Sequence, residues 1–257
     1  MSSTNWGISL KLCAMWSNSA TRIDDIVVGW LTSLVGRSAT FDTAIYLLSR
    51  GGATEGAFVM SIFWWYWFRQ TDASTTQRTR EHLLSTMFAG AIGLFAARFL
   101  ALTLPFRVRP RFEPALPLVW PATPASLSYV DWSSFPSDHA VMFSALAAGL
   151  CFVSWRAGLG ALFFAIFIVS FPRVYFGLHY PTDILAGVAL GVLAAYCSNA
   201  VAVRRQLASR VLLWEHRSPQ CFYVALFVVT FQFASMFGDV RYAARALYYL
   251  GGRLLSP

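Results

Sequence analysis

Apolar positions in this chain gather into long blocks separated by short polar stretches, the pattern of membrane-spanning helices. The blocks cover 55–68, 83–104, 140–155, 157–171, 184–203 and 221–238. Each approaches the roughly 20 residues needed to cross the hydrocarbon core, the shorter ones as tilted or protein-shielded neighbours. The first ends in Trp64-Trp65-Tyr66-Trp67, rings suited to the headgroup level. Upstream, residues 25–48 mix apolar positions with charged ones (Asp25, Arg37 and Asp42, with Asp24 just before), which predicts an interfacial amphipathic helix or two short ones. The predicted fold is therefore all-α: a polytopic integral membrane bundle of about six transmembrane helices plus an N-terminal interfacial amphipathic helix. It divides into an N-terminal segment 1–53, a membrane domain 54–240 with its core at 83–203, and a C-terminal tail 241–257. No internal repeat or low-complexity stretch stands out.

Composition strengthens this picture. The 257 residues are 57% hydrophobic and 12% charged, against about 25% charged in a soluble domain. The net charge of +8 sits on arginines between the apolar blocks, without the basic stripe that tracks a phosphate backbone, so nucleic acid is not an expected partner. Arg69, Arg78, Arg80, Arg156, Arg204, Arg205, Arg210 and Arg217 fall in alternate connections. By the positive-inside rule these face the cytoplasm, and the connections 105–136 and 172–182 face outward. Arg241, Arg245 and Arg253 run against this orientation. Residues 1–14 lack an apolar core followed by a cleavage site, so the first true span is expected to act as the insertion signal. Cys13, Cys151, Cys197 and Cys221 are scattered, with no metal, redox or disulfide spacing.

The candidate chemistry lies in three clusters at the edges of apolar blocks, where a charged side chain is costly unless it has a task. In Arg173-x5-His179-x3-Asp183, a short connection joins two helices. Asp183 is able to fold back to one imidazole nitrogen, fixing the tautomer and freeing the other nitrogen for attack or proton transfer. Arg173 supplies a fork of donors suited to phosphate oxygens. Taken alone, a helix-capping Asp beside an interfacial His explains the motif equally well. In Pro136-Ser137-Asp138-His139, Ser137 caps the next helix, whose free N–H groups make an anion site, and His139 adds a proton donor. The third cluster, Arg107-Val108-Arg109-Pro110-Arg111, ends the preceding block; interfacial arginine is its bland reading. Together the parts describe phosphoryl transfer without metal: His179 attacks, His139 protonates the leaving oxygen, and the arginines with Ser137 neutralise the phosphate. No carboxylate cluster suited to Mg²⁺ is visible, and no cofactor is expected.

These residues resemble the type 2 phosphatidic acid phosphatase superfamily. Its pattern is Lys-x6-Arg-Pro, then Pro-Ser-Gly-His, then Ser-Arg-x5-His-x3-Asp. The resemblance covers about 83–203 and falls on Arg109-Pro110, on Pro136-Ser137 with His139, and on Arg173, His179 and Asp183. It implies His179 as nucleophile, Asp183 as its orienter, His139 as general acid, and Arg109, Ser137 and Arg173 as phosphate ligands. Pro172 replaces the Ser before Arg173, Leu102 stands where the Lys belongs, and Asp138 replaces Gly. Arg98, one turn before Leu102, and Arg107 are the candidates for the missing cation. Phe-Pro-Ser-Asp-His-Ala is similar to the bacterial undecaprenyl-diphosphate phosphatase branch, which implies a lipid phosphate substrate in the bilayer and a site on the outer face of the inner membrane. Asp138 would then favour a protonated His139 and repel an extra anion near the substrate. Other lipid phosphates (phosphatidate, phosphatidylglycerophosphate, the lipid A 1-phosphate) fit the same chemistry. A non-catalytic lipid-binding protein is the reading from a different class. Nothing in the sequence marks the oligomeric state.

Overall fold

Polar caps and first-turn prolines mark the starts of the long apolar helices. In the computed structural model, which describes residues 22–50, 52–69, 71–114, 116, 132–238 and 240, every helix long enough to cross a membrane begins beside such a signal. Asp72 accepts from the Thr75 N–H at 3.0 Å to open α4 (Ala73–Thr103). Ser154 caps α6 (Trp155–Phe164), and Pro181 occupies the first turn of α8 (Pro181–Asn199). The other helices are α1 (22–32), α2 (Ala39–Arg50), α3 (Gly52–Phe68), α5 (Asp138–Cys151), α7 (Phe171–Tyr175), α9 (Val201–Arg217) and α10 (Pro219–Ala234). No strand occurs among the described residues. Cys13, Arg241, Arg245, Arg253 and the C-terminal tail lie outside them.

Several boundaries differ from the hydropathy pattern. α4 starts ten residues before its apolar block, where the Asp72 cap opens a helix whose polar first turns hydropathy does not register. α6 continues through a π-helical stretch (Ala165–Ser170) into α7, giving one 21-residue apolar helix to Tyr175. The wider turn precedes Pro172, whose ring and missing N–H would interrupt a regular helix. The arginine-rich connection before α10 is not a loop but α9, which buries Ala208, Leu212 and Glu215. Among the described residues three helices are long and apolar enough to cross a membrane: α4, α6 through α7, and α8. The other apolar blocks form the shorter α3, α5 and α10, of 17, 14 and 16 residues.

The bundle is built around α5, which packs against α4, α6 and α8 and is buried along nearly its whole length. Encased by protein, it has no lipid-facing length to match. Small residues let the backbones meet. An added Cβ at Gly191 of α8 would lie 2.3 Å from the Val141 carbonyl and 2.1 Å from Ser144 Oγ. At Gly187, one turn earlier, it would lie 2.9 Å from the Ser137 carbonyl. This contact brings the start of α5 against the start of α8, where the Ser137 N–H donates to the Asp183 carbonyl at 3.2 Å.

The two ends of the bundle differ in character. At one end Arg80 pairs with Glu215 at 2.7 Å, Arg204 with Glu81 at 3.3 Å, and buried His82 meets Asn199 at 2.8 Å. His82 also stacks on Phe152, so the α5–α6 turn lies at this end, with Arg156 close by in sequence. The opposite end gathers the turn after α4, residues 132–137 and the α7–α8 connection.

The Gly191 contact is testable by thermal unfolding in detergent. Gly191→Val should destabilise by about 3 kcal/mol or more, since the obstructing atoms include backbone. Gly160→Ala, with nothing within 4 Å of the added Cβ, should be neutral or gain up to about 1 kcal/mol.

Candidate active site

His179 owes its position to a reversal of the chain after α7. Gly177 adopts φ +64°, a conformation glycine reaches without Cβ strain. The N–H groups of Leu178 and His179 then fold back onto the Arg173 carbonyl at 2.9 and 3.3 Å. Pro181 starts α8 at once, with Asp183 in its first turn. Asp183 Oδ2 accepts the Tyr180 N–H at 2.8 Å, so this carboxylate caps the helix whether or not it has another role.

The imidazole of His179 is buried and its two nitrogens have different surroundings. Nδ1 lies 2.7 Å from the Ser134 carbonyl, which can only accept, so Nδ1 carries the proton. Asp183 Oδ2 sits behind the same nitrogen at 3.7 Å, beyond hydrogen-bond reach. Sequence alone pointed to Asp183 as the direct partner, and the backbone carbonyl takes that bond instead. Nε2 carries the lone pair, which accepts a hydrogen bond from Arg109 Nη1 at 3.4 Å. Arg109 is held by bonds to the Leu178 carbonyl at 2.7 Å and the Trp132 carbonyl at 3.3 Å. Burial pushes the His179 pKa below its ordinary value; Asp183 and the Ser134 carbonyl oppose this, and the Arg109 charge reinforces it. The imidazole thus has Nδ1–H bound to a carbonyl and its Nε2 lone pair held only by the long bond from Arg109.

Three further arginines are tied to carboxylates. Arg107 Nη1 donates to Asp183 Oδ1 at 2.5 Å and to Thr182 Oγ1 at 2.8 Å, and its Nη2 pairs with Asp24 Oδ2 at 2.5 Å. Its guanidinium also lies 4.1 Å from the Tyr180 ring centre. Arg98 donates through Nε to Asp138 Oδ1 at 2.9 Å and through Nη2 to the same oxygen, with its guanidinium over the Trp132 ring. Arg173 forms a buried pair with Glu55 of α3, Nη2 to Oε2 at 3.1 Å, and also bonds the Val169 carbonyl.

The residues singled out by sequence therefore separate into groups. His179, Asp183, Arg107 and Arg109 form one connected cluster. Ser137 caps α5 through Oγ to the Ala140 N–H at 3.5 Å and reaches Asp183 through its backbone. His139 is half-buried on the first turn of α5. Asp138 is committed to Arg98, and the side-chain bonds of Arg173 go to Glu55 and Val169 rather than to His179. Leu102 is 86% exposed on the outer surface of α4, while Arg98 one turn earlier reaches Asp138. Sequence reasoning missed Glu55, Thr182 and Ser134, and it read Asp24 only as surface charge. An acidic residue within or beside an apolar block was the available signal for Asp24 and Glu55; a backbone carbonyl such as that of Ser134 leaves none.

This geometry stands on a segment with known relatives. The model of the PAP2 superfamily matches residues 81–207. A decaprenylphosphoryl-5-phosphoribose phosphatase of Mycobacterium tuberculosis is 34% identical over 185 residues, 72% of this chain and 93% of that protein. The chain belongs to the PAP2 superfamily. The undecaprenyl-diphosphatase BcrC of Bacillus subtilis is 25% identical over 119 residues, 46% of this chain and 57% of its own length. A solved transmembrane PAP2-type phosphatidylglycerolphosphate phosphatase from Bacillus subtilis is 20% identical, with TM-score 0.47 over 74% of this chain and 92% of that one. In the first relatives, the match spans 30% to 57% of their own length. All the PAP2 motif positions, from Arg109 to Asp183, fall inside the matched segment.

The Arg173–Glu55 pair makes a stability prediction. Both side chains are buried, so removing one partner strands a charge. Glu55→Ala should cost about 3–5 kcal/mol, and Glu55→Ala combined with Arg173→Met much less than the sum of the single losses. Chemical unfolding of the three purified variants measures this.

Proposed function

We propose that this PAP2 protein is a membrane lipid phosphatase that cleaves the terminal phosphate of a polyprenyl diphosphate, with undecaprenyl diphosphate as the substrate and undecaprenyl phosphate as a product. The observation that carries the reading is the neutral, buried His179, with Nδ1–H bound to a carbonyl and the Nε2 lone pair facing Arg109. In this reading Nε2 attacks the terminal phosphorus and the bond to the bridging oxygen breaks. His139 gives its proton to that oxygen, and water then hydrolyses the phosphohistidine to release phosphate. Arg109, Arg173 and Ser137 serve as phosphate ligands, with Arg98 and Arg107 as candidates for the missing lysine. Asp138, paired with Arg98, contributes less repulsion to a diphosphate than an unpaired carboxylate would. Asp183 sits behind Nδ1 and stabilises the positive charge that develops on the ring as Nε2 bonds to phosphorus. No metal takes part. The basic connections favour the cytoplasmic side, which directs the site outward, to the periplasmic face of a bacterial inner membrane.

The undecaprenyl-diphosphatase relatives support the diphosphate substrate. The Mycobacterium relative favours a second reading, in which the leaving alcohol is a polyprenyl-linked sugar and the phosphate a monoester. Phosphate release by purified protein in EDTA, from undecaprenyl diphosphate and from a polyprenylphosphoryl phosphoribose in parallel, separates the two. Activity on the diphosphate that survives EDTA and vanishes in His179→Ala is expected; a strict metal requirement overturns the mechanism. His139→Ala should lower kcat by roughly 10²–10⁴-fold.

The pH profile has a defined sign. Falling pH protonates Nε2 and removes the nucleophile, and burial holds that protonation below the ordinary histidine value. The acid limb of kcat/KM should therefore lie below about pH 6.5. A limb above that value would assign it to another group.

A further inference from the structure

Asp24 is the most unexpected carboxylate in the molecule. It belongs to α1, outside the helices that carry the PAP2 motifs, yet it is fully buried. α1 turns Ile26 and Trp30 outward, 70% and 63% exposed, while Asp24, Val28 and Leu31 face the bundle. The inward face is apolar at Val28 and Leu31, and Asp24 is the charged residue buried beside them. The rotation is matched by the bonds Asp24 makes: Oδ1 accepts the Thr182 N–H at 3.0 Å, and Oδ2 accepts from Thr182 Oγ1 and Arg107 Nη2. These donors come from the first turn of α8 and from the α4–α5 connection, the segments that also carry Asp183 and Arg109.

Arg107 makes the arrangement more than a tether. Its guanidinium is shared between two carboxylates, Asp24 and Asp183. Asp183 in turn lies behind Nδ1 of His179. A continuous chain, Asp24–Arg107–Asp183–His179, thus links the N-terminal helix to the imidazole. We propose that Asp24 is a positioning residue of this site, which neutralises Arg107 and thereby sets how much of the Asp183 charge is felt by His179. The proposal rests on His179 being the reacting base.

The groups that act on the imidazole can be named from every side. Asp183 approaches from α8, Arg109 and the Ser134 carbonyl from the α4–α5 connection, and Arg107 through Asp183, with the Tyr180 ring against the Arg107 guanidinium. Asp24 is the contribution of α1. Replacing Asp24 by Asn keeps an acceptor for Thr182 but removes one negative charge. Arg107 then draws more fully on Asp183, and the positive field at His179 rises. Protonation of His179 becomes harder.

The test is the titration of His179 in detergent-solubilised full chain, read by NMR of 13Cε1-labelled histidine and assigned with His179→Gln among His82, His139, His179 and His216. Asp24→Asn should move the midpoint down by about half a pH unit. In activity assays kcat should fall roughly tenfold and the acid limb of kcat/KM should move in the same direction. Thr182→Val, which removes a tethering hydroxyl without changing charge, should leave the midpoint unmoved. Arg107→Gln breaks the same chain from the other side and should move it upward. An unmoved midpoint in Asp24→Asn overturns the proposal; if that variant does not accumulate as folded protein, an unmoved midpoint in Arg107→Gln overturns it instead. The titration needs no substrate, so an inactive wild-type protein would sink the phosphatase reading while leaving this coupling measurable.

Discussion

Charge compensation at one end of an apolar bundle is the constraint on which the rest of this structure depends. Arg98, Arg107 and Arg173 are matched by Asp138, by Asp24 with Asp183, and by Glu55. An isolated charge removed from water costs several kcal/mol even after relaxation, which bears most on the buried Arg173–Glu55 pair and on the buried carboxylates of Asp24 and Asp183. The pairs also join segments far apart in sequence: α1 to the α4–α5 connection, that connection to α8, α3 to α7, and α4 to α5. In connections without regular structure, arginine–carbonyl and arginine–carboxylate bonds take over the role that helical hydrogen bonds play elsewhere. Arg109 shows this directly by tying Trp132 to Leu178.

Those bonds work only because the helices meet closely. The α5–α8 contact, with Gly187 and Gly191 against the backbone of α5, brings the Ser137 N–H to the Asp183 carbonyl. Two helix starts from separate motifs are thereby joined by one hydrogen bond. The opposite end has its own paired shell, Arg80 with Glu215 and Arg204 with Glu81, which fixes α9 on α4.

The apolar blocks and the three clusters were legible because each depends on local sequence: run length, a cap, a spacing of five or three. Apolar run length predicted the helices but not all their ends. α4 begins in polar sequence, and an arginine-rich stretch read as a loop is α9. Charge density marks a membrane-flanking segment without distinguishing helix from coil. Pairing was not legible, since Asp24 and Thr182 are 158 residues apart and Glu55 and Arg173 118 apart. Nor was the Ser134 carbonyl, because a backbone acceptor is available at every position. The Gly187-x3-Gly191 spacing was visible but carries no chemistry until its partner helix is known.

The partition of bonds around His179 has its own logic. A carbonyl on Nδ1 fixes the tautomer without adding a full negative charge, so the imidazole can stay neutral in a buried site. Asp183 is kept one step away, at 3.7 Å, because Arg107 and the Tyr180 N–H already claim its oxygens. Direct contact would favour the imidazolium and remove the lone pair needed at Nε2. In the proposed reaction the ring becomes positively charged only after Nε2 bonds to phosphorus. At that moment a carboxylate 3.7 Å away in a poorly solvated pocket gains attraction it did not have in the resting state. The distance that makes Asp183 a weak partner of the neutral ring therefore makes it a selective partner of the charged one.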